Sequence, residues 1–313
     1  MDQAFAIVVP IFTLIGVGYL AGRGNWIGES ASQGLSNFTF NLAIPALLFR
    51  TMATAALPQT ETYRIWAAFF GAALFVWLVS SLVSTSILRR RPSDAPSIAM
   101  SSSFGNVVML GVPLSMALFG EAAAAPGAVI VSLHSPILWL AGSIHLALVD
   151  RRNEAERGGL IAELVRELAC NPIILAVVAG VLWRLTGLTI EPALDDAIAL
   201  LGQAAIPCAL VALGLSLTGF QIKGQVGTLT LILFLKLAAM PIFASILAFK
   251  IFGLPPIEAG VVTIFAAMPT GANAYLFAAR QGRAMNSASG AVALGTALAV
   301  LTSATSVYLL SGG

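Results

Sequence analysis

The sequence predicts an all-α polytopic membrane protein with ten transmembrane helices that form two inverted five-helix repeats. Three observations lead to this fold class. Of the 313 residues, 58% are hydrophobic and only 10% are charged, whereas about 25% of the residues of a soluble domain are charged. Apolar segments of about 20 residues, the length that crosses a bilayer, recur along the chain. Helix-breaking residues also recur at one fixed offset between the two halves.

Ten apolar spans are separated by polar connectors that contain Gly and Pro. They cover residues 4–21, 37–54, 66–88, 98–119, 127–149, 170–186, 194–217, 228–251, 259–279 and 288–310. The spans leave no room for a separate soluble domain, so we expect a single membrane domain over residues 1–313. The first span lacks a preceding basic region and a small-residue cleavage site, and we expect a retained helix there instead of a signal peptide.

The two halves of the chain are predicted to be repeats. A charged linker, residues 150–167, separates a first repeat, 1–149, from a second, 168–313. An offset of 162 residues takes Gly18 to Gly180, and it links three further pairs of helix breakers: Pro10 with Pro172, Pro45 with Pro207, and Gly120 with Gly282. Because each repeat has an odd number of spans, the second enters the membrane in the opposite orientation, as in many secondary transporters.

Orientation follows from the Lys and Arg residues in the connectors, which are enriched on the cytoplasmic side. With the N-terminus outside, the inner side receives Arg23, Arg89, Arg90, Arg91, Arg151, Arg152, Arg157, Arg166, Lys223, Arg280 and Arg283. The outer side then receives only Arg50, Arg64, Arg184 and Lys250. We therefore expect both termini outside the cytoplasm and the 150–167 linker inside it.

Two of the spans are interrupted by polar and helix-breaking residues. They contain the stretches SSSFGNVVMLGVPLSMALF, residues 101–119, and MPTGANAY, residues 268–275. A broken span survives only where protein or a water-filled cavity surrounds it, and a pair of them in corresponding positions marks a transporter's binding site. Half-helix N-termini that meet there present N–H groups and a positive dipole end. The pattern predicts a site for an anion.

Prolines and asparagines mark both interruptions. Pro113 has Gly111 and Asn106 nearby, and Pro269 has Asn273 nearby, so the backbone can open into a short extended link in each span. The asparagines have two interpretations: contact with the ligand, or hydrogen bonds between helices worth about 1 kcal/mol.

Three further residues could carry charge inside the membrane. Lys236 is the one cation deep within a span, and it needs carbonyls, amides, water or the substrate's negative charge as a partner. Direct substrate pairing and a purely structural lysine both stay open. His134 and His145 share the fifth span, where they serve either proton handling or packing. Because no Asp or Glu lies away from the span ends, coupling to Na⁺ or H⁺ would use carbonyls and amides.

Several function classes are not expected. The sequence contains no nucleotide-binding Walker motif, catalytic triad or metal-ligand cluster, so we expect neither an enzyme nor a cofactor. The net charge of +2 is too small and scattered to indicate nucleic acid as a partner. Cys170 and Cys208 are expected to be buried structural thiols.

Four motifs resemble those of the auxin efflux carrier family, and the resemblance covers nearly the whole chain. They are the N-x(4)-G-x-P pattern of Asn106, Gly111 and Pro113, and the segments CNPIILAVVAG, GQAAIPCALVALGLSL and MPTGANAYLFAARQG. Plant members of this family export auxin, and bacterial members are linked to malate and malonate. The linker is short, unlike the long hydrophilic loop of the plant exporters, so the chain resembles a bacterial member in the cell inner membrane.

The resemblance implies an elevator-type secondary carrier with a scaffold domain and a transport domain. It implies that the fourth and ninth spans cross at their prolines and hold a small organic anion, and that the protein pairs as a homodimer through the scaffold. Carried over to this sequence, the site comprises Asn106, Gly111, Pro113, Pro269, Thr270 and Asn273. Lys236 does not come from the resemblance; its intramembrane charge makes it a candidate charge partner of the anion.

Two alternatives stay open. One is a sodium-coupled symporter of amphipathic organic acids, similar to the bile-acid symporters, which share the crossed-helix plan. The other is a channel or receptor, although polarity concentrated at two breaks does not form a continuous polar face. Dependence of uptake on sodium distinguishes the symporter from the carrier.

Overall fold

The fold is described from a computed structural model over residues 2–54, 62–149, 169–221 and 225–310. Within these ranges the regular structure is helical, apart from one isolated β-bridge between Gly105 and Thr270. The predicted linker, residues 150–167, and Lys223 fall outside them. Of the two cysteines expected to be buried, Cys170 is exposed and Cys208 is half-buried, so the expectation is wrong for Cys170.

Fourteen α-helices are described in these ranges. They are α1 (Asp2–Arg23), α2 (Glu29–Phe38), α3 (Ile44–Thr54), α4 (Thr62–Ser86), α5 (Ala95–Ser103), α6 (Val112–Phe119), α7 (Ala124–Val149), α8 (Pro172–Leu185), α9 (Pro192–Leu217), α10 (Val226–Phe234), α11 (Met240–Ser245), α12 (Pro256–Ala267), α13 (Ala272–Gln281) and α14 (Met285–Leu310).

Six helical segments are long and apolar enough to cross a bilayer: Ala6–Arg23, Thr62–Ser86, Val107–Val149, Pro192–Leu217, Val226–Ile251 and Met285–Leu310. The shorter helices α8 and α12 are also apolar. The chain is therefore a multi-pass membrane protein. Helices lie at the positions of all ten predicted spans, while the ten-span topology itself stays a prediction.

Proline explains three widened helical turns. The π-helical segments Thr39–Ala43, Val107–Gly111 and Leu235–Ala239 each end two residues before a proline, namely Pro45, Pro113 and Pro241. A proline inside a helix lacks its N–H and its ring clashes with the carbonyl four residues earlier. The wider π turn removes this clash while the helix continues. Accordingly, α2 and α3 form one helix, as do α10 and α11.

The helices pack as two groups. The first group contains α1, α2, α3, α8 and α9, and the second contains α4 to α7 and α10 to α14. In the first group, α1 packs on α9 and α3 packs on α8. A Cβ atom at Gly180 of α8 would lie 2.6 Å from the Phe49 carbonyl oxygen of α3, and one at Gly18 of α1 would overlap the Val211 carbonyl oxygen of α9.

These two glycine contacts are related by the sequence offset. The shift of 162 residues takes Gly18 to Gly180 and Phe49 to Val211, so it exchanges the two contacting pairs. A pseudo-twofold axis between the halves would produce such an exchange. The contacts support the inverted repeat, which stays a prediction.

The second group encloses two short helices completely. Every residue of α5 is buried, as is every residue of α12 from Glu258 to Ala267. Both helices belong to the predicted broken spans, and both end inside the protein. Because protein surrounds them, their freed backbone groups are shielded from lipid, which is the condition for a broken span.

Candidate functional site

Two extended links cross at the centre of the second group. The first covers Phe104–Asn106, between α5 and the helix that begins at Val107, and the second covers Met268–Gly271, between α12 and α13. They run antiparallel: the Asn106 N–H donates to the Pro269 carbonyl at 2.8 Å, and the Gly271 N–H donates to the Phe104 carbonyl at 3.0 Å. The links therefore satisfy each other's backbone groups.

The position of the first link corrects the predicted crossing. The family resemblance implies a crossing at Pro113 and Pro269, and Pro269 does lie in the second link. Pro113, however, lies buried in α6, after the chain has resumed a helical path at Val107. The π turn before Pro113 accommodates its missing N–H, so this proline does not break the helix. The break occurs at Gly105.

Glycines allow the links and helices to approach closely. A Cβ atom at Gly271 would lie 3.1 Å from the Gly105 carbonyl oxygen, and one at Gly105 would lie 3.2 Å from Lys236 Nζ. At Gly111, a Cβ atom would lie 3.2 Å from Met268 Cγ in the second link. A larger residue at Gly111 or Gly271 would push the two broken spans apart, and one at Gly105 would displace the Lys236 side chain.

The crossing has two ends of opposite polarity. The helices that begin at Val107 and Ala272 present their N-terminal ends, and α5 and α12 present their C-terminal ends. Helix N-termini carry partial positive charge and unpaired N–H groups, whereas C-termini carry partial negative charge. The Asn106 side chain caps the first N-terminal end, where its Oδ1 accepts from the Met109 N–H at 3.3 Å.

A cavity of about 430 Å³ lies beside the N-terminal ends, between the two helix groups. The first group lines it with α2, the π segment after it, the start of α8, and α9. The second lines it with residues 104–109, α7 and α13. Its polar side chains are Gln33, Ser36, Asn37, Asn41, Asn106, His134, Ser135, Asn171, Ser216 and Asn273. Within the described ranges, none of its lining residues is Asp, Glu, Lys or Arg.

Comparison with known proteins assigns the family. A sequence family described as "Membrane transport protein" matches residues 3–308, nearly the whole chain. The chain belongs to the auxin efflux carrier family. It is therefore a membrane transporter, as the motifs predicted.

Three relatives illustrate the spread of this similarity. A protein of Rhizobium meliloti named "Putative malonate transporter" is 26% identical over all of this chain and 98% of its own length. An "Uncharacterized transporter" of Methanothermobacter thermautotrophicus is 22% identical over 94% of each chain. The mouse "Lysosomal cholesterol signaling protein" is 29% identical over 38% of this chain and 14% of its own length.

Only two of the predicted site residues line the cavity of this carrier. These are Asn106 and Asn273, and the Asn273 Nδ2 contacts Ser135 Oγ at 3.4 Å. The other five do not line it: Gly111, Pro113, Pro269, Thr270 and Lys236. Thr270 is buried and its hydroxyl donates to the Ser101 carbonyl at 2.8 Å, which fixes the second link to α5.

The sequence prediction missed one helix face and a third helix N-terminus. Gln33, Asn37 and Asn41 line the cavity four residues apart, on one face of the helix, and Gln33 Nε2 donates to Asn37 Oδ1 at 3.1 Å. This spacing is visible in the sequence. Asn171 caps α8, where its Oδ1 accepts from the Ile173 N–H at 3.0 Å.

His134 supplies a hydrogen-bond acceptor in the cavity wall. Its Nε2 lies 3.1 Å from the Gly105 carbonyl oxygen. Because a carbonyl only accepts, Nε2 carries the proton, and in the neutral ring Nδ1 is an acceptor. Nδ1 is buried and has no partner among the described residues. His145, by contrast, accepts from Trp77 Nε1 at 3.2 Å and lies off the cavity.

Lys236 lies on the other side of Gly105 from the cavity. Its side chain is fully buried, Nζ donates to the Ala266 carbonyl at 2.7 Å, and Met240 Sδ lies 3.1 Å away. A carbonyl was one of the partners expected from the sequence. In this conformation a ligand in the cavity would be separated from Lys236 by the backbone at Gly105.

Proposed function

We propose that this carrier moves a small organic anion with a carboxylate group by alternating access, as a secondary active transporter. The observation that carries the proposal is the cavity at the crossing, where helix N-termini and asparagine amides converge between two helix groups. The name of the Rhizobium meliloti relative supports a dicarboxylate such as malonate as the first ligand to test.

The chemistry of the cavity suits an anion. Helix N-termini at Val107, Ala272 and Pro172 face it with partial positive charge. Five asparagines, namely Asn37, Asn41, Asn106, Asn171 and Asn273, offer amide donors. Since the described lining has no carboxylate, a bound anion meets no direct repulsion. The volume of about 430 Å³ lies within the range of about 300–1,000 Å³ typical of small-molecule sites.

The cavity has an exposed side. Gln33, Asn37 and Asn41 are exposed at its mouth, and they follow the loop at residues 24–28. The Lys and Arg distribution predicts that this loop is cytoplasmic. With this predicted orientation, we propose that the conformation is open to the cytoplasm.

The packing supports movement of one helix group against the other. Among the glycines in the described ranges, six would bring a Cβ atom closer than 3.0 Å to another residue: Gly18, Gly22, Gly142, Gly180, Gly214 and Gly260. Each of these contacts joins helices of the same group. The tightest of these contacts, at Gly18, Gly180 and Gly214, meet backbone within the first group, whereas those at Gly142 and Gly260 meet Phe side chains within the second. Close glycine packing inside each group, and not across the cavity, supports an elevator-type movement.

A binding screen tests the proposal. Purified protein is heated with malonate, malate, aromatic acids and bile acids, each with sodium and with choline. A ligand at a hundredfold excess over its Kd stabilises by about 2.7 kcal/mol. We expect a short dicarboxylate to stabilise the protein in both salts. Stabilisation only by amphipathic acids with sodium would favour the symporter, and no stabilisation by any acid would contradict the proposal.

Variants locate the site. Asn106→Ala and Asn273→Ala should each weaken malonate binding at least about tenfold, because a hydrogen bond to a charged group contributes about 1.5–3 kcal/mol. The matched control is Asn286→Ala, since Asn286 is exposed on α14 and lies off the cavity. Unchanged affinity in both cavity variants would place the site elsewhere.

A further inference from the structure

The buried ammonium of Lys236 lies at the C-terminal end of a half-helix. The helix α12 ends at Ala267, and Nζ donates to the carbonyl of Ala266 in its last turn at 2.7 Å. The last carbonyls of a helix lack partners within it and carry partial negative charge. A cation at this position is therefore stabilised by the helix end as well as by the hydrogen bond.

The second broken span contributes to the same place. The Lys236 Nζ and Cε atoms would lie 3.2 and 3.3 Å from a Cβ atom at Gly105, which follows the C-terminal end of α5. The absence of a side chain at Gly105 allows the ammonium to approach the first link. Among the described residues, no Asp or Glu forms an ion pair with Lys236. The negative charge that balances its ammonium is the partial charge of backbone carbonyls, such as that of Ala266.

Transporters with broken helices place coupling cations at such points. Unwound carbonyls and half-helix C-terminal ends coordinate Na⁺, while half-helix N-termini point to the anionic substrate. Here Lys236 Nζ occupies the C-terminal side of the crossing, and the cavity occupies the N-terminal side. The arrangement of charges is the same, except that the cation is covalently attached to the chain.

We propose that Lys236 is a resident cation that takes the place of a coupling ion, so that the carrier binds its anion without Na⁺. The inference rests on the proposed function of the cavity. Lys236 acts through the crossing: its charge stabilises the two links and attracts the anion across Gly105. At an effective dielectric constant of about 20, the attraction between unit charges about 8 Å apart, on either side of one backbone segment, corresponds to about thirtyfold in affinity.

Two substitutions separate charge from volume. Lys236→Met keeps most of the side-chain volume and removes the charge, whereas Lys236→Ala removes the charge and leaves space beside the Ala266 carbonyl. Lys250→Met is the matched control, because Lys250 lies on the same continuous helical stretch but is exposed. Malonate affinity is measured for each protein by calorimetry in sodium, potassium and choline chloride.

We expect the wild type and Lys250→Met to bind malonate equally in all three salts. Lys236→Met should bind about thirtyfold more weakly in every salt. Lys236→Ala should bind weakly in choline and recover at least severalfold when sodium or potassium fills the vacated position.

Each contrary result has a distinct meaning. Malonate binding by the wild type only in sodium would overturn the inference and leave the proposed function intact. Wild-type affinity in Lys236→Met would also overturn it, even if Lys236→Ala failed to fold. Absence of binding to the wild type in every salt, for malonate and the other acids of the screen, would refute the proposed function itself.

Discussion

The contact between Gly180 and Phe49 yields a quantitative prediction about the first helix group. In Gly180→Ala the new Cβ would lie 2.6 Å from the Phe49 carbonyl oxygen, whereas ordinary contacts begin at 3.4 Å, so α3 and α8 must separate by about 0.8 Å. The obstacle is backbone and cannot rotate away. Overpacking of this kind costs about 1–3 kcal/mol, and the helical preference of Ala over Gly offsets about 0.5–1 kcal/mol of it.

The free energy of unfolding is measured in detergent by titration with a denaturing detergent. We expect Gly180→Ala to lower it by about 1–2 kcal/mol, and Gly18→Ala, the partner at the 162-residue offset, to lower it at least as much. The control is Gly16→Ala in α1, where nothing lies within 4 Å of the new Cβ. If Gly180→Ala and Gly16→Ala had the same free energy of unfolding, the close packing of α3 on α8 would be refuted.

Three further predictions concern an ion pair, the cavity wall and the topology. The Arg50–Asp195 pair is bidentate, but 35% of the Arg50 side chain and 25% of the Asp195 side chain are exposed. Arg50→Gln should therefore lower the unfolding free energy by at most about 1 kcal/mol. A double-mutant cycle with Asp195→Asn should show little coupling between the two residues. His134→Phe leaves the buried Gly105 carbonyl without its donor and should cost about 1–3 kcal/mol; an unchanged unfolding free energy would contradict this bond. A cysteine in the loop at residues 89–91, in a protein without native cysteines, should resist external labelling of intact cells, and labelling there would reverse the predicted orientation.

The positions of the helices could be predicted from the sequence because bilayer thickness fixes the length of an apolar span. The location of the first break could not. Pro113 is the stronger helix breaker by residue type, yet a local π turn accommodates it, and the chain opens at Gly105 instead. What decides between them is tertiary: Gly105 is where the second link and Lys236 approach within contact distance.

The candidate site was only partly predictable for a related reason. Asn106 and Asn273 were found because helix breakers surround them. The helix face formed by Gln33, Asn37 and Asn41 was missed because polar residues at the end of a span usually indicate a surface in contact with solvent. Their four-residue spacing is nevertheless visible in the sequence. Asn171 borders the same cavity only because α8 packs on α3 and beside α7. Contacts between distant helices cannot be derived from one sequence.

The covalently attached cation has a consequence for the response to voltage. With a divalent anion in the cavity, the crossing and its ligand carry a net charge of about −1, and without the ligand they carry about +1. A membrane potential acts on a transported unit charge with about 2.3 kcal/mol per 100 mV. If Lys236 moves with the crossing, the loaded protein would carry about −1 across the membrane and the empty protein would carry about +1 back. The two charges of the dianion would thus be divided equally between the two steps. In a cell with a negative interior, both steps would then favour export.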